Sequence, residues 1–329
     1  MKALVTGATG FLGSHLTDHL IGRGFEVSCL VRERSDLRWI EANHVKLIQG
    51  DLLDETSLRL AANGAEFVFH LAAVHRGRHS IEKFRQINEH GTANLLRACL
   101  TSSVQVTNFV YISSISAVGP RTAVEAVNEE SPCRPIDPYG KSKLAAERHV
   151  FSFRDRLPVT IILPCLVYGP RDRNLQTVLG KMKVVNRGYY FTRRSNNSRF
   201  NCIHAKDLAR GIVLAAGQSN SIGRRFFMCN PAPTTYDEVA SITAAALGKR
   251  PLKIVVPPSL LAIRRALQEF ASGQGKTSIR AISKAMRQPT LHWVCDGSRA
   301  EKELGFSPQI SLTEGITQTA RWYRQRGWI

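Results

Sequence analysis

A chain of 329 residues with 43% hydrophobic side chains is long enough for one large core and a smaller appended lobe. Its apolar runs are far shorter than the roughly 18 residues of a membrane span, which argues against a transmembrane protein. Its formal charge of +19 favours anionic partners such as an acidic substrate, an acyl carrier or an anionic lipid surface.

The first apolar run, Ala3–Val5, leads directly into Thr6-Gly7-Ala8-Thr9-Gly10-Phe11-Leu12-Gly13 and then into an amphipathic stretch. A GxxGxxG turn between a strand and a helix suits a dinucleotide. Its first glycine permits the tight turn, its second lets backbone approach a pyrophosphate, and its third lets helix and strand pack closely. The helix N-terminus then favours the phosphates. A strand opening at residue 3 leaves no room for a signal peptide, so a cytoplasmic protein is expected, with a peripheral place at a membrane surface left open.

Further apolar runs at Val27–Val31, Val45–Ile48, Phe67–Leu71, Phe109–Ile112 and Val159–Leu163 alternate with helix-period segments. This predicts an α/β fold with a Rossmann-type, doubly wound parallel sheet and a smaller, mostly helical C-terminal lobe. Residues 1–170, rejoined by 201–230, are expected to bind the dinucleotide; 171–200 and 231–329 are expected to bind substrate. A strand and helix at Cys202–Ala216, a strand at Arg225–Cys229 and helices near 236–247, 259–271, 277–287 and 312–326 are predicted for the second half.

Tyr139 and Lys143, four residues apart at the start of a helix, share one face. A phenol with an ordinary pKa of about 10 transfers protons poorly at neutral pH, and a neighbouring ammonium lowers that pKa. The pair can serve as general acid or base towards a carbinol or carbonyl. Ser113 and Ser114 end the strand Phe109–Ile112, where a hydroxyl can bind the substrate oxygen.

With these residues in place, the chain resembles the extended short-chain dehydrogenase/reductase family, the NAD-dependent epimerase/dehydratase superfamily, over nearly its whole length. TGATGFLG resembles the phosphate loop of that family, implying cofactor contacts from Gly7, Thr9, Gly10, Phe11, Leu12 and Gly13. Asp51 and Leu52 resemble the adenine contact, Leu71, Ala72 and Ala73 belong to the strand-four signature that starts at His70, and Asn88 resembles the helix-four asparagine. Ser114, Tyr139 and Lys143 match the catalytic triad, the last two also touching the cofactor. Pro164 and Val167 occupy the places that pack on a nicotinamide. The segments Tyr111–Pro120, Asn201–His204 and Asp296–Phe306 look most like the 3β-hydroxysteroid dehydrogenase and dihydroflavonol reductase branch.

Val31 is followed by Arg32, where NAD-binding members of the fold place an acid on the ribose. Arg32 can pair with a 2′-phosphate, although Glu33 next to it can also reach the ribose. NADP(H) is therefore expected before NAD(H). The leading function is interconversion of a secondary alcohol and a ketone on a largely apolar small molecule. A nucleotide-sugar epimerase or dehydratase with tightly bound cofactor is the alternative, and a non-catalytic cofactor sensor a minor one. Against the sugar-nucleotide reading, Phe200 stands where such enzymes hold a diphosphate with arginine.

Seven cysteines without a CxxC pair read as buried reduced thiols, with Cys165 falling near the expected cofactor. Segments 171–199 and 249–289 hold most of the positive charge. Leu260, Ile263, Leu267 and Phe270, and Ile279, Ile282 and Met286 with Lys276, Arg280, Lys284 and Arg287 opposite, form amphipathic patterns that either cap the lobe or lie on an anionic membrane. His75, Arg76, Arg78 and His79 read as a solvated basic loop or a substrate contact, and Tyr189, Tyr190 and Phe191 as lobe packing. No metal site and no nucleic-acid partner are expected. A homodimer through helices 81–100 and 137–156 is implied by the resemblance.

Overall fold

Ala3 to Val5, Phe109 to Ile112 and Val159 to Leu163 are buried along their whole length, as strands covered on both faces must be. The computed structural model describes residues 1–75, 79–174, 178–192, 197–257 and 290–329. In chain order, β1 (Lys2–Thr6), α1 (Phe11–Gly22), β2 (Glu26–Val31), β3 (Val45–Gln49), α2 (Glu55–Ala62) and β4 (Phe67–His70) alternate as the apolar runs predict. Next come α3 (Ile81–Phe84) and α4 (Gly91–Cys99), joined by a π-helical turn at Arg85–His90. β5 (Asn108–Ile112), α5 (Ile115–Val118), α6 (Pro138–Ser152), β6 (Val159–Pro164) and β7 (Leu166–Tyr168) follow.

The second half contains α7 (Val178–Asn186), β8 (Tyr189–Thr192), β9 (Arg199–Phe200), β10 (Cys202–His204), α8 (Ala205–Ala216) and β11 (Arg224–Met228). It ends with β12 (Thr234–Thr235), α9 (Tyr236–Leu247), β13 (Leu252–Val255), α10 (Ser298–Leu304) and α11 (Leu312–Gln325). One seven-stranded sheet runs in the order β11-β6-β5-β4-β1-β2-β3. Every pairing in it is parallel. The strand order reverses between β1 and β4, which opens a crevice at their carboxyl ends.

A second apolar cluster, built from Tyr168, Met182, Val185, Phe200, Val239, Leu247, Ile316 and Tyr323, packs α7, α9 and α11 together. Here the structure departs from the expected run of helices, because β13 interposes and pairs in parallel with β8. A two-stranded ribbon is covered on one side only, so its residues alternate between cover and solvent. Tyr189 and Phe191 are 48% and 54% exposed, which corrects their reading as lobe packing. Tyr190 and Thr192 instead turn inward and donate hydrogen bonds to the Asp237 carboxylate. The helices expected near 259–271 and 277–287, with their apolar stripes and basic faces, lie outside the described residues, as do Arg76 and Arg78. Among the described residues no helix is long and apolar enough to cross a membrane.

Candidate active site

The crevice begins at the glycine turn. Gly7 has φ +75°, a conformation that side chains with a Cβ rarely adopt, and a Cβ there would lie 2.7 Å from the Ala72 nitrogen. A Cβ on Gly13 would run into the Gly7 carbonyl, so α1 packs against the turn only because position 13 is bare. The Gly10 N–H closes the turn on the Gly7 carbonyl at 3.0 Å.

Two cavities that share Gly7, Gly10, Leu71 and Ala73 extend from this turn. The first, of about 290 Å³, is lined by Thr9, Arg32, Ser35, Asp51, Leu52, Ala72 and Lys83 among others. The second, of about 640 Å³, is lined by Phe11, Leu12, Gly13, Ser114, Tyr139, Lys143, Pro164 and Val167, and continues to Phe200, Tyr236 and Trp293. Seventeen of the eighteen residues expected to serve catalysis or the cofactor, separated by up to 160 positions in the chain, thus line one connected trough.

Local chemistry explains where Tyr139 falls. Asp137 caps α6 by accepting the Gly140 N–H at 2.7 Å, and Pro138 suits the first turn, so the helix starts one residue before the phenol. A Cβ on Gly140 would strike the Ser116 carbonyl, so this glycine lets α6 approach α5 and brings Tyr139 beside Ser114. Ser114 caps α5, its oxygen accepting the Ser116 N–H at 3.1 Å. That bond occupies the oxygen and leaves the hydroxyl proton for an acceptor in the cavity.

One turn along α6, the Lys143 ammonium donates to the Ile112 carbonyl at 2.6 Å and lies 4.2 Å over the Tyr111 ring. Burial pulls its pKa down to about 7, against the opposing pull of the Glu147 carboxylate one turn further on. Ser113 lines the same cavity, but its hydroxyl donates to Glu147, which also pairs with Arg225 at 3.1 Å. Of the two serines, Ser113 thus has its hydroxyl proton engaged by Glu147, whereas Ser114 accepts only a backbone N–H.

Asn88 is the exception among the expected contacts. It is 1% exposed and lines neither cavity. Its Oδ1 accepts the Val74 N–H at 2.7 Å, while its Nδ2 donates to the Val74 carbonyl at 3.0 Å and to Ser142 Oγ at 2.9 Å. The expectation of cofactor contact is corrected, because the amide is occupied in tying the segment after β4 to α6. The π-helical turn that carries Asn88 makes this aim possible.

Buried His70 was not singled out from the sequence for chemistry. Thr92 Oγ donates to the Asn88 carbonyl at 2.6 Å, so it accepts from His70 Nε2 at 2.9 Å. His70 Nδ1 then accepts from Thr6 Oγ at 2.7 Å, and Thr6 in turn accepts the Ala72 N–H at 3.3 Å. The network assigns a neutral ring with its proton on Nε2. Burial, with Lys143 nearby, holds its pKa down at about 3, which fits that assignment.

Phe200, Tyr236 and Trp293 form the far wall, with the Phe200 and Tyr236 rings 4.5 Å apart and Lys181 3.8 Å over the Tyr236 ring. Tyr236 and Trp293 escaped the sequence reading because no local pattern brings a helix-start tyrosine and a tryptophan from 57 positions later to one wall. His75, read as part of a basic loop, also lines this cavity, its ring 4.9 Å from that of Tyr139. Cys165 lines it too, but burial pushes its thiol up to about 12, which leaves it a thiol rather than a nucleophilic thiolate.

A sequence model of the NAD dependent epimerase/dehydratase family matches residues 3–228. The chain belongs to this family. It is 28% identical to ceramide reductase of Caulobacter vibrioides, over 99% of this chain and 95% of that protein. It is 25% identical to the decarboxylating sterol-4-alpha-carboxylate 3-dehydrogenase of Homo sapiens, over 98% of this chain and 88% of that enzyme. The crystal structure of gox2253 superposes with a TM-score of 0.83 at 27% identity and covers 99% of both chains. This family member is an NAD(P)-dependent enzyme of the extended short-chain dehydrogenase/reductase type, among relatives named reductases, sterol dehydrogenases and epimerases.

Proposed function

We propose that the protein interconverts a secondary alcohol and a ketone on a largely apolar small molecule, with NADP(H) as cofactor. The observation that carries this reading is the placing of Ser114, Tyr139 and Lys143 along one cavity that continues into the aromatic wall of Phe200, Tyr236 and Trp293. In the direction of reduction, Ser114 donates a hydrogen bond to the carbonyl oxygen and Tyr139 delivers a proton to it. Lys143 supplies the positive charge that makes the phenolate accessible and steadies the cofactor ribose. When bound, NADP(H) supplies or accepts the hydride.

Gly7, Gly10 and Gly13 line the trough where the tight glycine turn leads into the N-terminus of α1, which supports a pyrophosphate there. Arg32 and Ser35 line the adjoining cavity and Glu33 does not, which supports a 2′-phosphate there. Phe200 is 4% exposed against Tyr236 and brings no charge to a nucleotide diphosphate, which supports an apolar carbon skeleton over a sugar nucleotide. Two relatives are named for ceramide and sterol substrates, which points in the same direction. Incubation with NADPH and a panel of lipid and polycyclic ketones tests the proposal. Consumption of NADPH with formation of alcohol is expected, whereas isomerisation of a nucleotide sugar without added NADPH would overturn it.

A further inference from the structure

His75 is tied to Tyr139 by a closed set of contacts that the reaction scheme above does not use. Both the N–H and the carbonyl of Val74 are held by the Asn88 amide, so the backbone just before His75 is fixed at two points. The same amide donates to Ser142 Oγ, and Ser142 Oγ donates to the Tyr139 carbonyl at 2.8 Å. The loop is completed by the His75 and Tyr139 rings, whose centroids are 4.9 Å apart at a 54° tilt. Phe84 approaches the Tyr139 ring edge-on at 6.4 Å and further restricts it. His75 is exposed to solvent and lines the cavity, whereas Tyr139 is only 8% exposed.

We infer that His75 is the proton partner of Tyr139, refilling the phenol from solvent after each reduction and draining it after each oxidation. The inference rests on the proposed alcohol–ketone chemistry. As the ketone accepts hydride from NADPH, the Tyr139 O–H bond breaks and the alcohol O–H bond forms, leaving a phenolate. The His75 imidazolium gives its proton to that oxygen, directly or through one water, and the neutral imidazole takes a proton from bulk solvent. The sum is ketone, NADPH and one solvent proton converted to alcohol and NADP⁺. An imidazole suits this task because its charge ordinarily changes within the physiological range. Among the described residues, the titratable and charged groups that share its cavity are Tyr139 and Lys143 of α6, Asp172 and Arg173, with His79 against the Phe84 ring.

His75→Phe keeps an aromatic ring beside Tyr139 but carries no proton, and His75→Ala leaves room for added imidazole. With saturating NADPH and ketone, the wild-type kcat for reduction is expected to fall as pH rises through the imidazole range. Both variants are expected to lose about tenfold or more in kcat near neutrality and to lose that pH-dependent limb, with imidazole restoring His75→Ala. A wild-type kcat and pH profile in His75→Phe, or equal losses in both variants without rescue, would overturn the inference. If the wild type reduces no ketone, the functional reading has failed, and the pairing is then read by NMR titration of the His75 ring. Its midpoint is expected to move on Tyr139→Phe, and an unmoved midpoint overturns the pairing itself.

Discussion

The dinucleotide side of the trough and its aromatic far wall are built by different means. On the first side the backbone itself makes the site, through a turn that only glycine fits, helix N-termini and a strand end held by buried Asn88 and His70. On the second, side chains from three distant places, Phe200, Tyr236 and Trp293, meet over short strands and helix ends. Backbone geometry demands particular residues at particular spacings, whereas an aromatic wall demands only bulk. Changes on the first side should therefore alter turnover or stability for every substrate, and changes on the second should alter which substrate is taken.

The largest expected effect tests the buried polar side. Burial holds His70 near 3 and both His15 and His204 near 4, well below the ordinary value for imidazole. Between about pH 6.5 and these depressed values the unfolded chain binds protons that the folded chain refuses, so stability present above 6.5 is lost as pH falls. Glu129 and Glu147, raised by burial, act in the opposite sense, but each faces an arginine. The melting temperature is expected to drop steadily from pH 6.5 to 4, and a flat profile would contradict neutral burial of these rings.

Asn88→Ala should come next, because it leaves the Val74 N–H and carbonyl without their partner. A loss of about 1–3 kcal/mol in denaturant titrations is expected, together with lower kcat for all substrates. Wild-type stability in that variant would remove Asn88 from its positioning role. Arg32→Ala is expected to raise the Michaelis constant for NADPH about tenfold while leaving that for NADH nearly unchanged, as loss of one charged partner to a phosphate predicts. Equal changes for both cofactors would contradict the 2′-phosphate assignment. The smallest effect is expected on the far wall: Tyr236→Ala should raise KM severalfold for bulky apolar ketones and spare small ones. A uniform fall in kcat across both would dissolve the distinction between the two sides.

The same contrast governs what could be read from the sequence. The sheet strands were legible because parallel strands buried on both faces are continuous apolar runs, and Gly7, Gly13, Tyr139 and Lys143 because turn geometry and the i, i+4 spacing fix their neighbours. Asn88 was found as a residue but misread in its contact, since nothing in a linear sequence tells which backbone an amide will hold. The β8 and β13 pairing was missed because each strand has four residues and is half exposed, so neither carries the apolar run of a sheet interior. Tyr236 and Trp293 escaped for a related reason, since their proximity to the cavity arises from tertiary packing alone, whereas His75 reads from the sequence as either a solvated loop residue or a substrate contact and lines the cavity.

The central claim is that the Tyr139 hydroxyl is the proton donor for carbonyl reduction, and Tyr139→Phe tests it with the loss of a single oxygen. Turnover of NADPH with a ketone that the wild type reduces should fall by a factor on the order of a hundred or more while NADPH binding stays close to wild type. Turnover within a few fold of wild type would contradict the account.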